Sequence, residues 1–600
     1  MYIFDENDSY FRSPSGAINA PGTLTLQIKL RRGEALNPRI CLYPDGGIAN
    51  EVKMVYEHVA GAYDVYKLKL EIERVGLYWY HFLVDTAHGY SFTVPEQSGG
   101  GFQITAFKPD ATEPDWIRSG IIYHIFVDRF AGDGQLRLGP GAVPRSDWGG
   151  CPYFEPDDKG IMRNNDFFGG NLYGIIEKLP YLEELGVNCI YLSPVFEADS
   201  NHKYDTGDFM KVDQAFGGDE ALEKLCKEAD ARGMKVILDG VFNHVGSDSV
   251  YFNRYGNYDS VGAYQDINSP YRDWFTFDHD GTYEAWWGIE LLPAVNKNNE
   301  QYKDFLCGED GVIAHWMRKG ISGWRLDVVD ELPDAVLDPL CAAMRRENAQ
   351  VFIAGEVWED ASHKIAYSVR RRYFLGGQLC SVTNYPLKDA IISYVRNGDV
   401  TALANAMSTL HRNYPKNVLD SLMNILGTHD TMRILTVLSG ASFPEGKLAM
   451  SHFRLTEEEL KLAKKRLKQA ATLQFTLPGV PCVYYGDEAG MEGGADPFNR
   501  ICYPWGHEDL DLISWYSNLA KLRKEYQCFR DGEYRLIEAR DGLFAFTRGE
   551  AGNTVLVAIN VSDNDRTIAS AVASEFSFDL LRDEKTDVLN IKAGEAGIFV

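Results

Sequence analysis

Four short stretches of this sequence close an apolar run with residues that can move protons or attack carbon. They are DGVFNH (239–244), GWRLDVVDE (323–331), GEVW (355–358) and GTHD (427–430). Together they supply the carboxylates Asp239, Asp327, Glu356 and Asp430 and the histidines His244 and His429. A single Asp at a strand end often caps a helix or pairs with an Arg and carries no functional message. Several converging on one rim are different, because crowded like charges raise one another's pKa and cost stability, an arrangement kept for chemistry. Arg325 and Asp327 are two positions apart, so on a strand they share a side. That side holds a cation and a carboxylate in an otherwise apolar run, as a structural ion pair or as part of a reactive centre.

The chemistry narrows by what is missing and what surrounds the candidates. No GxGxxG follows a strand, and neither a P-loop nor HExxH occurs, so nucleotide and zinc-protease chemistry lack their signatures. No GxSxG elbow is found, and none of these strand ends offers the Lys that Schiff-base chemistry needs. Metal-assisted hydrolysis has Asp, Glu and His to draw on, but the histidines come with indole and phenol rings rather than further ligands. Paired carboxylates with aromatics are the equipment of glycoside hydrolysis, in which one carboxylate is the nucleophile and one carboxylic acid protonates the leaving oxygen. Aromatic residues make up 12% of the chain and cluster beside the candidates in HKYDTGDF (202–209) and EAWWG (284–288).

Strands and helices must position these groups. Residues 22–107 carry period-two segments such as TLTLQIKL, YDVYKLKLEI and GLYWYHFLV, which predict an N-terminal β-sandwich over residues 1–112. KPDATEPDW (108–116), with two prolines and three acidic residues, reads as a linker. From residue 121 short apolar strands alternate with amphipathic helices, a pattern of parallel sheet covered on both faces. Eight such units predict an α/β chain folded as a (β/α)8 TIM barrel over residues 113–515, with an inserted domain at about 245–300 after the third strand. The last stretch, 516–600, returns to period-two patterning as a second β-sandwich. The four carboxylates then fall at C-terminal strand ends, where barrels of this kind carry their chemistry.

Composition excludes other classes. Six hundred residues exceed one core and suggest three or four domains. A formal charge of −26 repels polyanions, so nucleic acid is not an expected partner. The basic run KLAKKRLKQA (461–470) has apolar residues at helical spacing and reads as a solvated helix face. No basic n-region, apolar h-region or run of about eighteen apolar residues is present, so no membrane is expected and a cytoplasmic location is. Ten scattered cysteines without a CxxC pair read as reduced core thiols.

In their order the four stretches resemble the four best-known regions of the α-amylase family of glycoside hydrolases, over essentially the whole barrel. FFGGNLYGIIEKLPYLEELGVNCIYLSPVF (167–196), SNHKYDTGDF (200–209) and VYYGDEAGM (483–491) add to the likeness. HKYDT, EVWEDAS and DPFNR are similar to the neopullulanase, maltogenic amylase and cyclomaltodextrinase branch, whose N-terminal β domain is carbohydrate-binding-like. The resemblance implies Asp327 as nucleophile, Glu356 as acid/base and Asp430 as the third carboxylate. Arg325 would keep Asp327 ionised, lowering its pKa by about 1 to 3. It further implies that Tyr204 stacks on the sugar being cleaved, that His244 and His429 bond its hydroxyls, and that Trp358 lines the site. Asp496 and Arg500 would touch the next sugar, and Asp239 and Asn243 would support the loops.

The implied reaction is retaining, endo-type hydrolysis of α-1,4, and also α-1,6, glucosidic bonds in maltooligosaccharides, cyclodextrins, starch or pullulan, through a covalent glycosyl-aspartate. Glu356 must start protonated, which predicts a raised pKa from burial among carboxylates. A transglycosylase of the same fold uses the same carboxylates, and a non-catalytic carbohydrate-binding protein would lack one of the three. No cofactor is required by this chemistry. Calcium, which relatives hold after the first strand, finds few oxygen ligands in DRFAGDGQLRLGPG (128–141), and Asn171 stands where an Asp is common. LLPAVN (291–296) lacks the lysine of the branch's usual motif, which leaves the α-1,4 to α-1,6 balance open. A homodimer through the N-terminal domain is the implied assembly.

Overall fold

The computed structural model describes residues 2–95, 100–109, 114–158, 160–550, 552–569, 575–586 and 588–600. Residues 110–113 of the expected linker lie outside them. Eight apolar runs form the strands of one parallel sheet: β1 Ile121–Ile125, β2 Val187–Leu192, β3 Lys235–Gly240, β4 Gly323–Leu326, β5 Phe352–Gly355, β6 Ser381–Val382, β7 Met423–Ile425 and β8 Val480–Tyr484. Neighbours pair in chain order, and β1 pairs with both β2 and β8. Thr383 and Met423 bridge the remaining gap between β6 and β7, so the sheet curls into a nearly closed barrel. Its interior is packed by Ile122, Cys189, Ile237, Phe352, Ala354, Met423 and Cys482, all buried. The continuous burial along these strands follows from the helices outside them, among them Gly218–Asp230, Asp334–Glu347 and Glu457–Thr476.

The barrel departs from its expected end. Helix Leu510–Glu525 runs past residue 515, and its buried Arg523 donates to the carbonyls of Phe475 and Gly479 (2.9 and 2.6 Å), which ties it to the barrel. The C-terminal sheet begins at Tyr534, is six-stranded, and packs Leu543, Ala545, Leu556, Ala558 and Phe599 in its own core. The insertion after β3 has no regular strand. Isolated bridges such as His244 with Ala294 and Phe275 with Val295, and rings such as Phe252 against Phe275 (4.9 Å), hold it together.

The N-terminal unit is two sheets with alternating burial, clearest in Gly22–Arg31, whose Leu24, Leu26, Ile28 and Leu30 point inward with Ile40, Phe82, Val84 and Ile104. The expectation of one continuous domain misses part of it. Residues 359–380 and 405–419 belong to the same compact unit. Thr105 donates to the Asn413 carbonyl (2.7 Å), and Arg370 pairs with Asp45 (2.9 Å). Those partners are hundreds of positions apart, beyond any local pattern. Among the described residues no helix is long and apolar enough to cross a membrane.

Candidate active site

β3, β4 and β5 lie side by side with Asp239 opposite Arg325 and Arg325 opposite Ala354, so their C-terminal ends open at one level. Arg325 is buried there and serves three carboxylates. Its NH1 donates to Asp239 Oδ1 and Oδ2 (2.8 and 3.0 Å) and to Asp327 Oδ1 (2.7 Å), while NH2 lies 3.0 Å from Glu356 Oε2. One guanidinium cannot neutralise three ionised carboxylates, so a proton in this cluster is held more tightly than on an isolated Asp. Burial pushes Asp327 well above the usual carboxylate range; Arg325 opposes this, and Glu356 and Asp239 reinforce it. Arg325 lowers the Asp327 pKa as expected, but the expected net fall is corrected, because burial outweighs it. A cation divided among three anions does not offset desolvation. Burial raises Asp239 likewise, against Arg325 and the Tyr191 hydroxyl.

Glu356 accepts two donors on Oε2, Arg325 and the Val328 amide (2.8 Å), and one on Oε1, the Trp358 indole (3.0 Å). Trp358 is itself stacked on Tyr385 at 3.9 Å and 13°. The Val328 contact depends on a feature that no strand pattern shows. β4 ends at Leu326, and Val328 turns into the left-handed region at φ 38° and ψ 52°. A β-branched residue there costs on the order of 1–3 kcal/mol, and such strain collects at functional sites. Here it points an amide at the Glu356 carboxylate.

Asp430 closes the cluster from β7. Its Oδ2 is 3.2 Å from His429 Nε2, its Oδ1 is 3.7 Å from Arg500, and its side chain stays 30% exposed in a cleft that crowds it on other sides. Burial raises its pKa, with Arg500 and Arg325 pulling the other way. Tyr204 joins the two halves. Its hydroxyl lies 2.9 Å from Asp239 Oδ2 and 2.6 Å from His429 Nε2, and its ring stacks on His429 at 5.1 Å and 10°. Tyr191 also donates to Asp239 Oδ2 (2.7 Å). Burial, with the Arg500 and Arg325 charges, holds His429 well below its usual pKa, so its ring is neutral. Burial pushes His244 down to about 3. Neither histidine supplies a proton near neutral pH.

The expected residues do converge, with different local duties in places. His244 faces the Tyr204 carbonyl through Nε2 (3.1 Å) and the Asn243 amide through Nδ1 (3.2 Å), so it must exchange a partner before it reaches a sugar hydroxyl. As it stands it fixes the Tyr204 backbone. Arg500 donates to the His429 carbonyl (2.9 Å) and pairs with Asp496 (3.0 Å) at the rim. Sequence reasoning passed over Tyr191, Val328 and His124, whose ring stacks on Tyr191 at 4.1 Å and meets His429 at 5.3 Å. The signal that singles out Arg325, a polar side chain inside an apolar strand, also picks out His124 in IIYHIFV (121–127). LLPAVN has no lysine, but the next position is Lys297, whose pKa burial lowers and whose charge acts on His244.

The loop after β1 does not fit a calcium ion. Asp133 is gripped by Arg137 through NH2 (2.6 Å) and NH1 (3.2 Å), and that guanidinium also reaches Gln135 Oε1 (3.1 Å). Asn171 accepts the Gly174 amide with Oδ1 (2.9 Å) and donates to Asp133 with Nδ2 (2.9 Å). The oxygens that calcium would need already face cations and N–H donors. Among the described residues no group of three or more His, Cys, Asp or Glu could hold a metal ion.

Comparison with known proteins agrees with this geometry. The family model described as alpha amylase, catalytic domain, matches residues 124–524. An amylopullulanase from Thermoanaerobacterium saccharolyticum is 34% identical over 94% of this chain and 48% of its own length. The chain thus spans about half the length of that relative. A cyclomaltodextrinase from Geobacillus thermopakistaniensis is 33% identical over 75% of this chain and 70% of its own. Among solved structures, the type III pullulan hydrolase from Thermococcus kodakarensis superposes with a TM-score of 0.69 at 25% identity, covering 100% of both chains.

Proposed function

The chain belongs to the alpha-amylase family, and from that premise we propose that it is a retaining endo-acting α-glucan hydrolase. Its substrates are maltooligosaccharides, cyclodextrins, starch or pullulan, cut at α-1,4 and also α-1,6 glucosidic bonds. The observation that carries the reading is the sharing of Arg325 by Asp327 and Glu356, with the Arg325 charge felt at Asp430 as well. One guanidinium holds the nucleophile and the acid/base in register on a single face. Asp327 attacks C1 as Glu356 protonates the departing oxygen. Two donors already occupy Glu356 Oε2 and one occupies Oε1, which leaves the proton a place on Oε1. Water activated by Glu356 then opens the glycosyl-aspartate to give the α-anomer. Asp430, with His429 and Arg500, grips hydroxyls of the distorted sugar, Tyr204 supplies a ring face, and Asp496 meets the next unit.

A substrate panel of starch, pullulan, cyclodextrins and linear maltooligosaccharides, with product anomer read by NMR, tests this. Early α-anomeric product supports it, and hydrolysis of none of these glucans sinks it. Longer products dominating early from maltotriose would assign a transglycosylase instead. Glu356→Ala is expected to lose about 10² to 10⁴ in turnover on natural substrates, the usual share of a general acid/base. On α-maltosyl fluoride, whose departure needs no proton, azide should restore turnover and yield α-maltosyl azide; absence of that azide adduct counts against the assignment.

Arg137 supports a calcium-free loop. Dialysis against EDTA, or added calcium, is expected to leave the melting temperature unchanged, whereas an ion at a hundredfold excess over its Kd would add about 2.7 kcal/mol. The free state of all ten cysteines supports a reducing, cytoplasmic setting. The strand Val55–Ala60, at a sheet edge of the N-terminal unit with Val55, Tyr56 and Val59 exposed, supports a homodimer there, which light scattering would test against a monomer.

A further inference from the structure

We propose that Trp287, backed by Trp286, is a binding platform for a glucose unit of the α-glucan chain away from the bond being cut. This rests on the α-glucan reading above and adds a site to it. Trp287 is 79% exposed, an unusual place for an indole, and sits at φ 52° and ψ 26° inside the turn Trp286–Gly288. A bulky residue in the left-handed region costs on the order of 1–3 kcal/mol, and an exposed ring recovers nothing by burial. Strain and exposure at one position point to a duty that the free protein does not display.

The ring's orientation says which duty. Trp287 lies over Trp286 at 5.2 Å and 29°, and Trp286 over His244 at 4.9 Å and 14°. Three flat rings therefore rise in a column from the residue that fixes the Tyr204 carbonyl. The turn cannot drift from the cluster, because its flanks are tied back to it. Trp286 N–H donates to the Leu292 carbonyl (2.9 Å), Val245 N–H to Pro293 (3.1 Å), and Ala294 bridges to His244 itself. The outer face of Trp287 is apolar, flat and uncharged. A glucose ring offers a matching face of C–H groups, while an ionic ligand would find no counter-charge in an indole. A neutral glucan chain that fills the cleft at Asp327 can thus lay a more distant unit on Trp287.

The test compares chain lengths. Trp287→Ala is expected to lower the ratio of kcat/KM for maltohexaose over maltotriose by about 3- to 10-fold, the value of one aromatic stacking contact, through KM and not kcat. Trp287→Phe should restore most of that ratio. Trp287→Gly separates binding from folding, since glycine relieves the φ of 52°. It should weaken maltohexaose binding without lowering the melting temperature. In an Asp327→Asn background, maltohexaose should quench tryptophan fluorescence, and Trp287→Ala should remove part of that quench. An unchanged length ratio with an unchanged quench overturns the platform while leaving the hydrolase intact. A protein that cleaves no α-glucan overturns the hydrolase first.

Discussion

Asp327→Asn is expected to leave a folded protein and to abolish at least about 10⁴-fold of turnover, the scale on which removing a catalytic nucleophile acts. Its effect on stability separates a catalytic carboxylate from a structural ion pair. Were Asp327 chiefly the partner of Arg325, its loss would strand a buried cation at about 3–5 kcal/mol. Arg325 is not stranded, because Asp239 stays at 2.8 Å and Glu356 at 3.0 Å. Linkage gives the sign. The folded protein raises the Asp327 pKa, so its contribution to stability is fully present below the unfolded value of about 4 and is lost as pH rises through the higher folded one. At pH 7, above the unfolded value, the raised pKa of Asp327 opposes folding, and the amide removes that opposition. The melting temperature at pH 7 should match or exceed that of the parent, and the gap should shrink toward pH 4. A fall of several kilocalories per mole would return Asp327 to a structural role.

Arg325→Leu is expected to be the most damaging single change to the fold among these residues, about 3–5 kcal/mol at pH 7, with activity lost as well. It leaves Asp239, Asp327 and Glu356 in one buried cluster without their cation. Here too pH carries the diagnosis. Without Arg325 the Asp239 and Asp327 pKa values, already raised by burial, move further up, so the folded state binds more protons than the unfolded one and stability grows as pH falls. Denaturant melts at pH 7 and pH 5 should show part of the loss recovered at the lower pH. Adding Asp327→Asn should recover part of it at pH 7, because the two positions are in contact and their effects do not add. A loss independent of both would mean that Arg325 acts by filling space.

Much of the architecture was legible because its causes are local. Period two places Arg325 and Asp327 on one side of β4 and makes Leu24, Leu26, Ile28 and Leu30 a buried stripe, whatever they later pack against. Eight apolar runs separated by amphipathic helices imply a barrel, and polar residues at the ends of those runs imply its mouth. The order of DGVFNH, GWRLDVVDE, GEVW and GTHD implied which carboxylates would meet.

Local periodicity has no access to how many partners a side chain acquires. Arg325 serves Asp239, 86 positions away, and Glu356, 31 positions away, as well as Asp327, only after β3, β4 and β5 lie in register. Burial reverses the expected net pKa shift of Asp327, and Arg325, shared among three carboxylates, does not offset it. The left-handed turns at Val328 and Trp287 are likewise imposed on residues whose own preferences oppose them. The joining of residues 359–380 and 405–419 to the N-terminal unit likewise depends on contacts between distant segments. Sequence by itself determined which groups are available and which side of an element they face. Only the tertiary structure decided which of them share a charge, a proton or a strained turn, because those depend on distances closed by chain segments far apart in sequence.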